Sequence, residues 1–388
     1  MPTISRRNFL QLTGLGFTPA LAQNSTLPNF KKPGKVNGPM IKFYGDGEMF
    51  EPGDYLAALE KAHDATAIIR DRYGAGGVVE ALEKKFCEIT GKEQAVFMPS
   101  GTMANQLAIA TLSGSNSKVF VQDESHVYRD EADAAQTVFN KRLIGLAKGE
   151  PYFTATQLQN AVQSLQQDEV FPTGIGAVSI ENPVRRMNGR MVPFEELKQI
   201  STYCREKKIP LHIDGARIYM ASAWTGHSVK DFASLCDSFY VSLYKYLGAS
   251  AGAILCGEKA LIGQMPHLIK IHGGSMYSNW TNAAMALYRL EGIESRLKDV
   301  VKRSRELFER LNKIDGIKIN SLEGGTNIFR MTLDKKINGA KMHQRMREEF
   351  NIQFQRPNDF HESFLTVNET MLYQDNDFLV KAFGDSIS

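Results

Sequence analysis

The fold is decided by the stretch Val241-Ser242-Leu243-Tyr244-Lys245-Tyr246-Leu247-Gly248-Ala249, taken with the earlier stretch Leu211-His212-Ile213-Asp214-Gly215-Ala216-Arg217. In each, an apolar run typical of a buried β-strand places an ionisable side chain at its carboxyl end, and small residues follow that let the chain turn closely. Open α/β sheets collect their functional groups at this end of the strands. The two stretches therefore predict an α/β fold whose sheet brings Lys245 and Asp214 to one edge.

Lys245 and Asp214 are the residue types that pyridoxal phosphate (PLP) requires. A lysine held among small neighbours, away from bulk water, can form a Schiff base with a carbonyl compound. A buried aspartate can serve as the anionic partner of a cationic ring nitrogen. Taken singly, a surface lysine at a strand end and an aspartate that caps a helix would look the same. The two together, with the glycine-containing segment upstream, favour a PLP site.

That upstream segment is a candidate phosphate-binding loop. A strand at Gln94–Met98 is followed by Pro99-Ser100-Gly101-Thr102-Met103-Ala104-Asn105-Gln106, which continues into an apolar helix. Free backbone N–H groups at a helix N-terminus bind anions, and the hydroxyls of Ser100 and Thr102 would add donors. An ordinary helix cap would explain this segment alone equally well. Its place ahead of the two ionisable strand ends favours phosphate.

Length and composition exclude several classes of protein. The chain has 388 residues, of which 43% are hydrophobic and 23% charged, enough for a sizeable core and two domains. The formal net charge of +3 falls to +1 without Arg6 and Arg7, so a nucleic-acid partner is not expected. The body of the chain has no apolar run long enough to span a bilayer. The four cysteines show no CxxC spacing, so we expect buried free thiols, with a disulfide only optional, and no metal site.

Residues 1–22 resemble a twin-arginine export signal. Ser5-Arg6-Arg7-Asn8-Phe9-Leu10-Gln11 precedes a modestly apolar stretch, and Ala20-Leu21-Ala22 suits signal peptidase. The alternative is an ordinary helical N-terminus that carries two arginines. The signal predicts export to the periplasm in the folded state, a route that suits a protein that binds its cofactor in the cytoplasm. Residues 23–40, rich in Pro, Gly, Asn and Lys, predict an extended arm.

The remaining chain alternates strands and helices, which predicts a mostly parallel sheet flanked by helices. His126 follows the strand 118–121, where it is placed either to stack on a flat cofactor ring or to act as an ordinary loop histidine. Beyond Gly316 the pattern becomes that of a small α+β unit. We therefore predict a large PLP-binding domain over residues 41–292, whose first segment is shared with a small C-terminal domain over residues 293–388.

Several segments together resemble the threonine aldolases, which belong to the β-eliminating lyase group of fold-type-I PLP enzymes. The segments are Tyr73-Gly74, Pro99-Ser100-Gly101-Thr102-Met103-Ala104-Asn105, Glu124-Ser125-His126, Ile213-Asp214-Gly215-Ala216-Arg217 and Lys245-Tyr246-Leu247-Gly248. The resemblance extends from about Phe43 to the C-terminus. It implies a fold-type-I PLP-dependent transferase-like fold.

The resemblance also implies site residues. Lys245 would carry PLP and act in catalysis, Asp214 would pair with the ring nitrogen, and His126 would stack on the ring and take part in catalysis. Ser100, Gly101 and Thr102 would form the phosphate loop. Arg217 would contact the cofactor and bind the substrate carboxylate, with Asp46 and Tyr73 as further substrate-binding residues. Members of this group are usually dimers of dimers, so we expect a homodimer or homotetramer whose site is completed across an interface, by the segments at Tyr73 and Gly273-Gly274.

Three departures from the family pattern lie on the substrate side. Gly45 stands where a serine is usual, and no arginine occurs near Glu362-Ser363-Phe364-Leu365. The loop after Asn182 reads Pro183-Val184-Arg185-Arg186 where a histidine is usual. Arg185, Arg186 and Arg356 are the candidates to replace the lost contact.

The leading prediction is a PLP-dependent lyase that cleaves a β-hydroxy-α-amino acid, L-threonine or L-allo-threonine, to glycine and an aldehyde. A PLP-dependent aminotransferase or racemase would keep Lys245 and Asp214 and change the substrate pocket. An exported binding protein that has lost catalysis is the third possibility. The intact Lys245 argues against it, because a fold that no longer binds a carbonyl compound has no need of a lysine there.

Overall fold

The structure is a computed structural model that describes residues 38–387. The predicted signal over residues 1–22 and most of the predicted arm over residues 23–40 lie outside the described residues. Residues 38–40 have no helical or strand structure.

Twelve strands are found in the described residues, in three sheets. They are β1 (Ile41–Phe43), β2 (Gln94–Met98), β3 (Lys118–Gln122), β4 (Arg142–Leu146), β5 (Ile175–Glu181), β6 (Leu211–Asp214), β7 (Ser238–Ser242), β8 (Ala253–Gly257), β9 (Ile317–Ser321), β10 (Ile328–Leu333), β11 (Ile352–Phe354) and β12 (Glu362–Thr366).

The helices lie between these strands along most of the chain. They are α1 (Pro52–Ala65), α2 (Gly77–Thr90), α3 (Gly101–Ser113), α4 (His126–Arg129), α5 (Ala134–Phe139), α6 (Ala155–Asp168), α7 (Phe194–Glu206), α8 (Ile218–Thr225), α9 (Val229–Ala233), α10 (Lys259–Ile262), α11 (Met265–Ile271), α12 (Trp280–Leu290), α13 (Ile293–Leu311), α14 (Gly339–Phe350) and α15 (Asn376–Ser386). Two short 3₁₀ helices cover Arg185–Met187 and Glu369–Tyr373.

The central sheet has seven strands in the order β2-β8-β7-β6-β5-β3-β4. The four neighbouring pairs from β7 to β4 are parallel, whereas β8 is antiparallel to both β7 and β2. Every residue of β6 and β7 is buried, as expected of strands covered by helices on both faces. The prediction of a mostly parallel sheet flanked by helices is confirmed, and the carboxyl ends of β6 and β7 meet at one edge.

The C-terminal part contains a three-stranded antiparallel sheet in the order β12-β10-β9. A separate parallel pair joins β1 to β11, with Ile41 opposite Ile352. The side chains of Ile41 and Phe43 are buried in the same apolar cluster as Leu307 and Met331. The N-terminal strand therefore packs with the C-terminal part of the chain. The division into domains at residue 292 stays a prediction.

All four cysteines are free thiols, and three of them, Cys204, Cys236 and Cys256, are buried. Burial raises the pKa of the Cys204 and Cys236 thiols to about 12. Over residues 38–387, no helix is long and apolar enough to cross a membrane. The same residues contain no group of three or more His, Cys, Asp or Glu side chains able to hold a metal ion.

Candidate active site

A pocket of about 290 Å³ opens at the carboxyl edge of the central sheet. It brings together most of the residues predicted from the sequence. The predicted residues that line it are Ser100, Gly101, Thr102, His126, Asp214, Arg217 and Lys245.

Lys245 lies three residues beyond the end of β7 and is 7% exposed. Its Nζ atom lies 3.3 Å from the hydroxyl of Tyr244 and 4.6 Å from the centre of that ring. Tyr244 itself is 42% exposed and also lines the pocket. The amine is therefore shielded by the protein yet reaches the cavity, as a lysine that holds a cofactor must.

Asp214 ends β6 and is 3% exposed. Its Oδ1 accepts a hydrogen bond from the backbone N–H of Ala216 at 3.0 Å, and its Oδ2 accepts one from Nδ2 of Asn105 at 2.8 Å. Asn105 stands one turn into α3, immediately after the candidate phosphate loop. Two donors hold the carboxylate at the base of the pocket, where it can pair with a cationic ring nitrogen.

The candidate phosphate loop forms the N-terminus of α3. Ser100 caps this helix, since its Oγ accepts a hydrogen bond from the backbone N–H of Met103 at 3.2 Å. A Cβ atom added to Gly101 would lie 2.1 Å from the hydroxyl oxygen of Tyr240. Only glycine fits there, so the first turn of the helix presents bare backbone to the pocket, which suits a bound phosphate.

His126 begins the short helix α4 at the other side of the pocket. Its Nδ1 atom lies 2.9 Å from Oε1 of Glu131, and its backbone N–H donates to Oε2 of Glu181 at 2.7 Å. The hydrogen bond with Glu131 raises the pKa of His126 against the opposing effect of burial. Burial, together with the nearby Asp214 carboxylate, raises the pKa of Glu181. The pocket therefore contains a histidine and a carboxyl group whose pKa values are both raised by their surroundings.

Arg217 and Asp46 form a buried ion pair beside the pocket. Nε and Nη2 of Arg217 lie 2.8 and 2.7 Å from the two carboxylate oxygens of Asp46. Burial alone would raise the pKa of Asp46, but the guanidinium outweighs it and the pKa is lowered. Asp46 likewise raises the pKa of Arg217 although burial opposes this. Asp46 thus occupies part of the guanidinium that was predicted to bind the substrate.

Tyr73 is not part of the pocket lining of this chain. Its side chain is 54% exposed, and its ring packs edge-on against Tyr277 at 5.3 Å between centres. Completion of a site by this segment would need a second copy of the chain, so the substrate-binding role of Tyr73 stays a prediction.

The three candidate replacements for the lost substrate contact lie outside the pocket lining. Arg185 and Arg186 contact Asp130, at 3.5 and 2.9 Å. Arg356 is exposed.

Sequence reasoning missed Asn105, Glu131, Glu181 and Tyr244 as site residues. Asn105 stands four residues after Gly101, a spacing that places both on one face of a helix, and this signal was available. Glu131 and Glu181 offered no signal, because a single glutamate in a loop or at a strand end is usually a surface residue.

The residues present fit PLP. A buried lysine amine, a buried carboxylate and a bare helix N-terminus meet at the carboxyl edge of a mostly parallel α/β sheet. That combination of fold and site defines a fold-type-I PLP-dependent enzyme.

The chain belongs to the beta-eliminating lyase family, whose sequence model matches residues 57–334. It is 32% identical over 260 residues to the low-specificity L-threonine aldolase of Candida albicans, covering 66% of this chain and 67% of that one. It is also 32% identical over 264 residues to an alanine racemase of Cochliobolus carbonum, covering 65% of this chain and 66% of that one. A candidate L-allo-threonine aldolase of Listeria monocytogenes has a similar solved structure, with a TM-score of 0.73, 26% identity, and 90% of this chain and 96% of that one covered.

The predicted family, the fold-type-I fold and PLP as the cofactor are thereby confirmed. The protein is a PLP-dependent lyase. The roles of the individual site residues stay predictions.

Proposed function

We propose that this protein cleaves a β-hydroxy-α-amino acid to glycine and an aldehyde, with L-threonine and L-allo-threonine as the first substrates to test. The observation that carries the proposal is the meeting of Lys245, Asp214 and His126 in one pocket. Relatives named as L-threonine aldolases support the choice of reaction.

Each pocket residue has a task in this reaction. PLP supplies an electron sink that accepts the electron pair of the broken Cα–Cβ bond. Lys245 would hold the cofactor covalently, and Asp214 would keep its ring nitrogen protonated. The N-terminus of α3 would bind the phosphate. Arg217 has five N–H groups, so those not used by Asp46 remain for the substrate carboxylate.

The test is product analysis with the purified, PLP-loaded protein. L-Threonine and L-allo-threonine are incubated separately, and both glycine and acetaldehyde are measured. We expect both products in equal amounts, and their loss in Lys245→Ala. Lys84→Ala, which removes an exposed lysine of α2, is the matched control. A yellow, PLP-loaded protein that forms neither product from either substrate would contradict the proposal.

Racemisation is a second candidate, favoured by the alanine racemase relative. A racemase needs the same lysine and ring-nitrogen partner and breaks a Cα–H bond. Incubation with L-alanine, followed by chiral analysis for D-alanine, separates the two reactions. Consumption of an added keto acid would instead indicate transamination.

We also propose that the protein is exported in the folded state to the periplasm. The proposal is supported by the Arg6-Arg7 pattern alone, which lies outside the described residues. Replacement of both arginines by lysine should leave the protein in the cytoplasmic fraction. Periplasmic recovery of that variant would contradict the proposal.

A homo-oligomer is proposed on separate grounds. Large apolar side chains are exposed in the segments at Tyr73 and Gly273-Gly274 that the family resemblance places at an interface. They are Ile69, Tyr73, Ile271, Met276 and Tyr277. Light scattering during gel filtration should give at least a dimer, and a monomer mass would contradict it.

A further inference from the structure

Glu131 is a buried carboxylate in the pocket wall that the proposed chemistry has not yet used. It is 4% exposed. Its Oε1 atom contacts two other site residues, Asn105 through Nδ2 at 2.7 Å and His126 through Nδ1 at 2.9 Å. Its Oε2 atom is buried and has no hydrogen-bond partner among the described residues. Burying a carboxylate oxygen without a hydrogen-bond partner costs free energy, which makes Glu131 a candidate for a functional role.

The hydrogen bonds around Asn105 show which of its side-chain atoms accepts and which donates. His212 lies between Ser238 and Asn105, with Nδ1 2.7 Å from Ser238 Oγ and Nε2 3.0 Å from Asn105 Oδ1. An amide oxygen only accepts, so Nε2 of His212 must carry a hydrogen and its Nδ1 must accept from the serine. Burial lowers the pKa of His212 to about 4, which agrees with one neutral tautomer.

Asn105 then uses its amide hydrogens on two carboxylates. One goes to Oδ2 of Asp214 and the other to Oε1 of Glu131. Oε1 of Glu131 therefore accepts a hydrogen bond from Asn105, and the same atom lies 2.9 Å from Nδ1 of His126. Because a carboxylate has no hydrogen to give, Nδ1 of His126 must carry the proton. The other ring nitrogen, Nε2, is left as the atom free to take up a proton.

We propose that Glu131 is a positioning residue that fixes the Nδ1–H tautomer of His126 and so presents Nε2 to take the proton of the substrate β-hydroxyl. This inference rests on the proposed function. In the step, the O–H bond breaks and an N–H bond forms at Nε2. The electron pair left on oxygen becomes the second bond of the aldehyde carbonyl, and the pair of the broken Cα–Cβ bond leaves with the glycine fragment. Glu131 stays deprotonated and faces the imidazolium that forms.

The charges around His126 favour this imidazolium. Glu131 has the largest effect, and the carboxylates of Asp214 and Glu181 add to it. Asp130 lies farther out and is bound to Arg186. The cations Lys245 and Arg217 line the same pocket, but Arg217 is paired with Asp46. Together these groups raise the pKa of His126, and the Glu131 carboxylate lies within hydrogen-bond distance of the ring.

The first test measures the tautomer directly and needs no substrate. The full-length, PLP-loaded protein is labelled with ¹⁵N in its imidazole rings, and the His126 signals are assigned among the eight histidines by their absence in His126→Asn. Above the pKa of His126 we expect the ¹⁵N shifts of an Nδ1–H imidazole. An Nε2–H imidazole would overturn the proposal, even if no Glu131 variant can be made to fold.

The second test compares Glu131→Gln with Asp130→Asn. Both variants remove one negative charge near His126, but only Glu131 contacts the ring. In Glu131→Gln we expect the titration midpoint of His126 to fall by about one pH unit and kcat to fall roughly 100-fold, with KM changed less than about threefold. The lower limb of the kcat–pH profile should move with the titration. Glu131→Asp should recover part of kcat because it keeps a carboxylate.

Asp130→Asn should keep kcat within about threefold of the original protein. Equal losses in the two variants, or an unchanged His126 titration in Glu131→Gln, would overturn the proposal. If the original protein cleaves no β-hydroxy amino acid, the proposed function fails. The ¹⁵N measurement of the His126 tautomer and the titration of His126 in Glu131→Gln then still decide whether Glu131 positions His126.

Discussion

Arg217 holds Asp46 through two parallel hydrogen bonds, although the two residues are 171 positions apart in the sequence. The guanidinium side chain is 13% exposed and the carboxylate 26%. The hydroxyl of Tyr246 adds a longer contact to Oδ1 of Asp46, at 3.4 Å. The pair fixes the segment after β1 against the loop that follows β6, at the side of the pocket.

Asp46→Asn should destabilise the protein, because it leaves a buried guanidinium without its anion. We expect the free energy of unfolding to fall by about 3 kcal/mol. In the variant, Asp46 no longer occupies part of the Arg217 guanidinium. If Arg217 binds the substrate carboxylate, glycine should therefore raise the Tm of the variant more than that of the original protein. Thermal unfolding with and without glycine measures both effects. Asp54→Asn, at an exposed position in α1, is the control and should change little.

Gly101→Ala should damage the start of α3. The new Cβ would lie 2.1 Å from the buried hydroxyl of Tyr240, which cannot move freely. We expect a loss of about 1–3 kcal/mol in stability and PLP binding weakened about tenfold or more. Gly53→Ala is the matched control, since a Cβ there meets no atom within 4 Å. Denaturant unfolding and PLP titration should leave that variant equal to the original or slightly more stable. Equal effects at both glycines would contradict the structure.

Glu83 makes stability depend on pH. Its Oε1 accepts a hydrogen bond from the backbone N–H of Phe97 at 2.8 Å, and burial raises its pKa from 4.5 to about 7. Between these values the folded state holds a proton that the unfolded state has released, so stability falls as the pH rises through this window. Glu83→Gln removes the buried charge and keeps an acceptor. We therefore expect the variant to be more stable than the original above pH 7, by about 2–3 kcal/mol, and equal to it at low pH.

Urea unfolding at several pH values measures the Glu83 effect. Glu80→Gln is the control, because this glutamate of the same helix is exposed and pairs with Lys84. If the free energies of unfolding of Glu83→Gln and of the original protein differ by the same amount at every pH, a buried charge at Glu83 does not cause the pH dependence.

Asn105→Asp should weaken PLP binding. The change removes the shared donor of Asp214 and Glu131 and places a third carboxylate between them. We expect the Kd for PLP to rise at least about tenfold, since like charges at this distance repel strongly in a buried site. Fluorescence titration with PLP measures it. Asn116→Asp, at a surface asparagine, should bind PLP normally, and an unchanged Kd in Asn105→Asp would show that the bridge is dispensable.

The sequence was sufficient for those parts of the site that depend on local pattern. Asp214 ends a buried strand and Lys245 follows one, and parallel strands bring their carboxyl ends to one edge of the sheet. The phosphate loop was also local, because a strand, a glycine and a capping serine define a helix N-terminus.

Pairings between distant segments could not be predicted in this way. No residue pattern around Asp46 shows that it would meet Arg217, 171 positions later. The contact of Glu131 with His126 spans only five positions, but it depends on how the chain turns at the end of α4. Tyr73 shows the opposite case, because its segment fits the family pattern while its side chain lies on the surface of this chain. A role for it depends on a neighbouring subunit.

The pairing of β1 with β11 has a consequence for biosynthesis. The backbone N–H of Lys42 bonds to Oγ1 of Thr370, 328 positions later, and the next residues lead directly to Asp46. The ribosome makes β6, which ends at Asp214, and β7, which precedes Lys245, well before it makes β11. Until β11 emerges, β1 has no partner strand, although Arg217, which binds Asp46, has already been made. The strand that leads to Asp46 is therefore paired only late in synthesis, so a chain truncated before β11 would leave β1 without its partner strand.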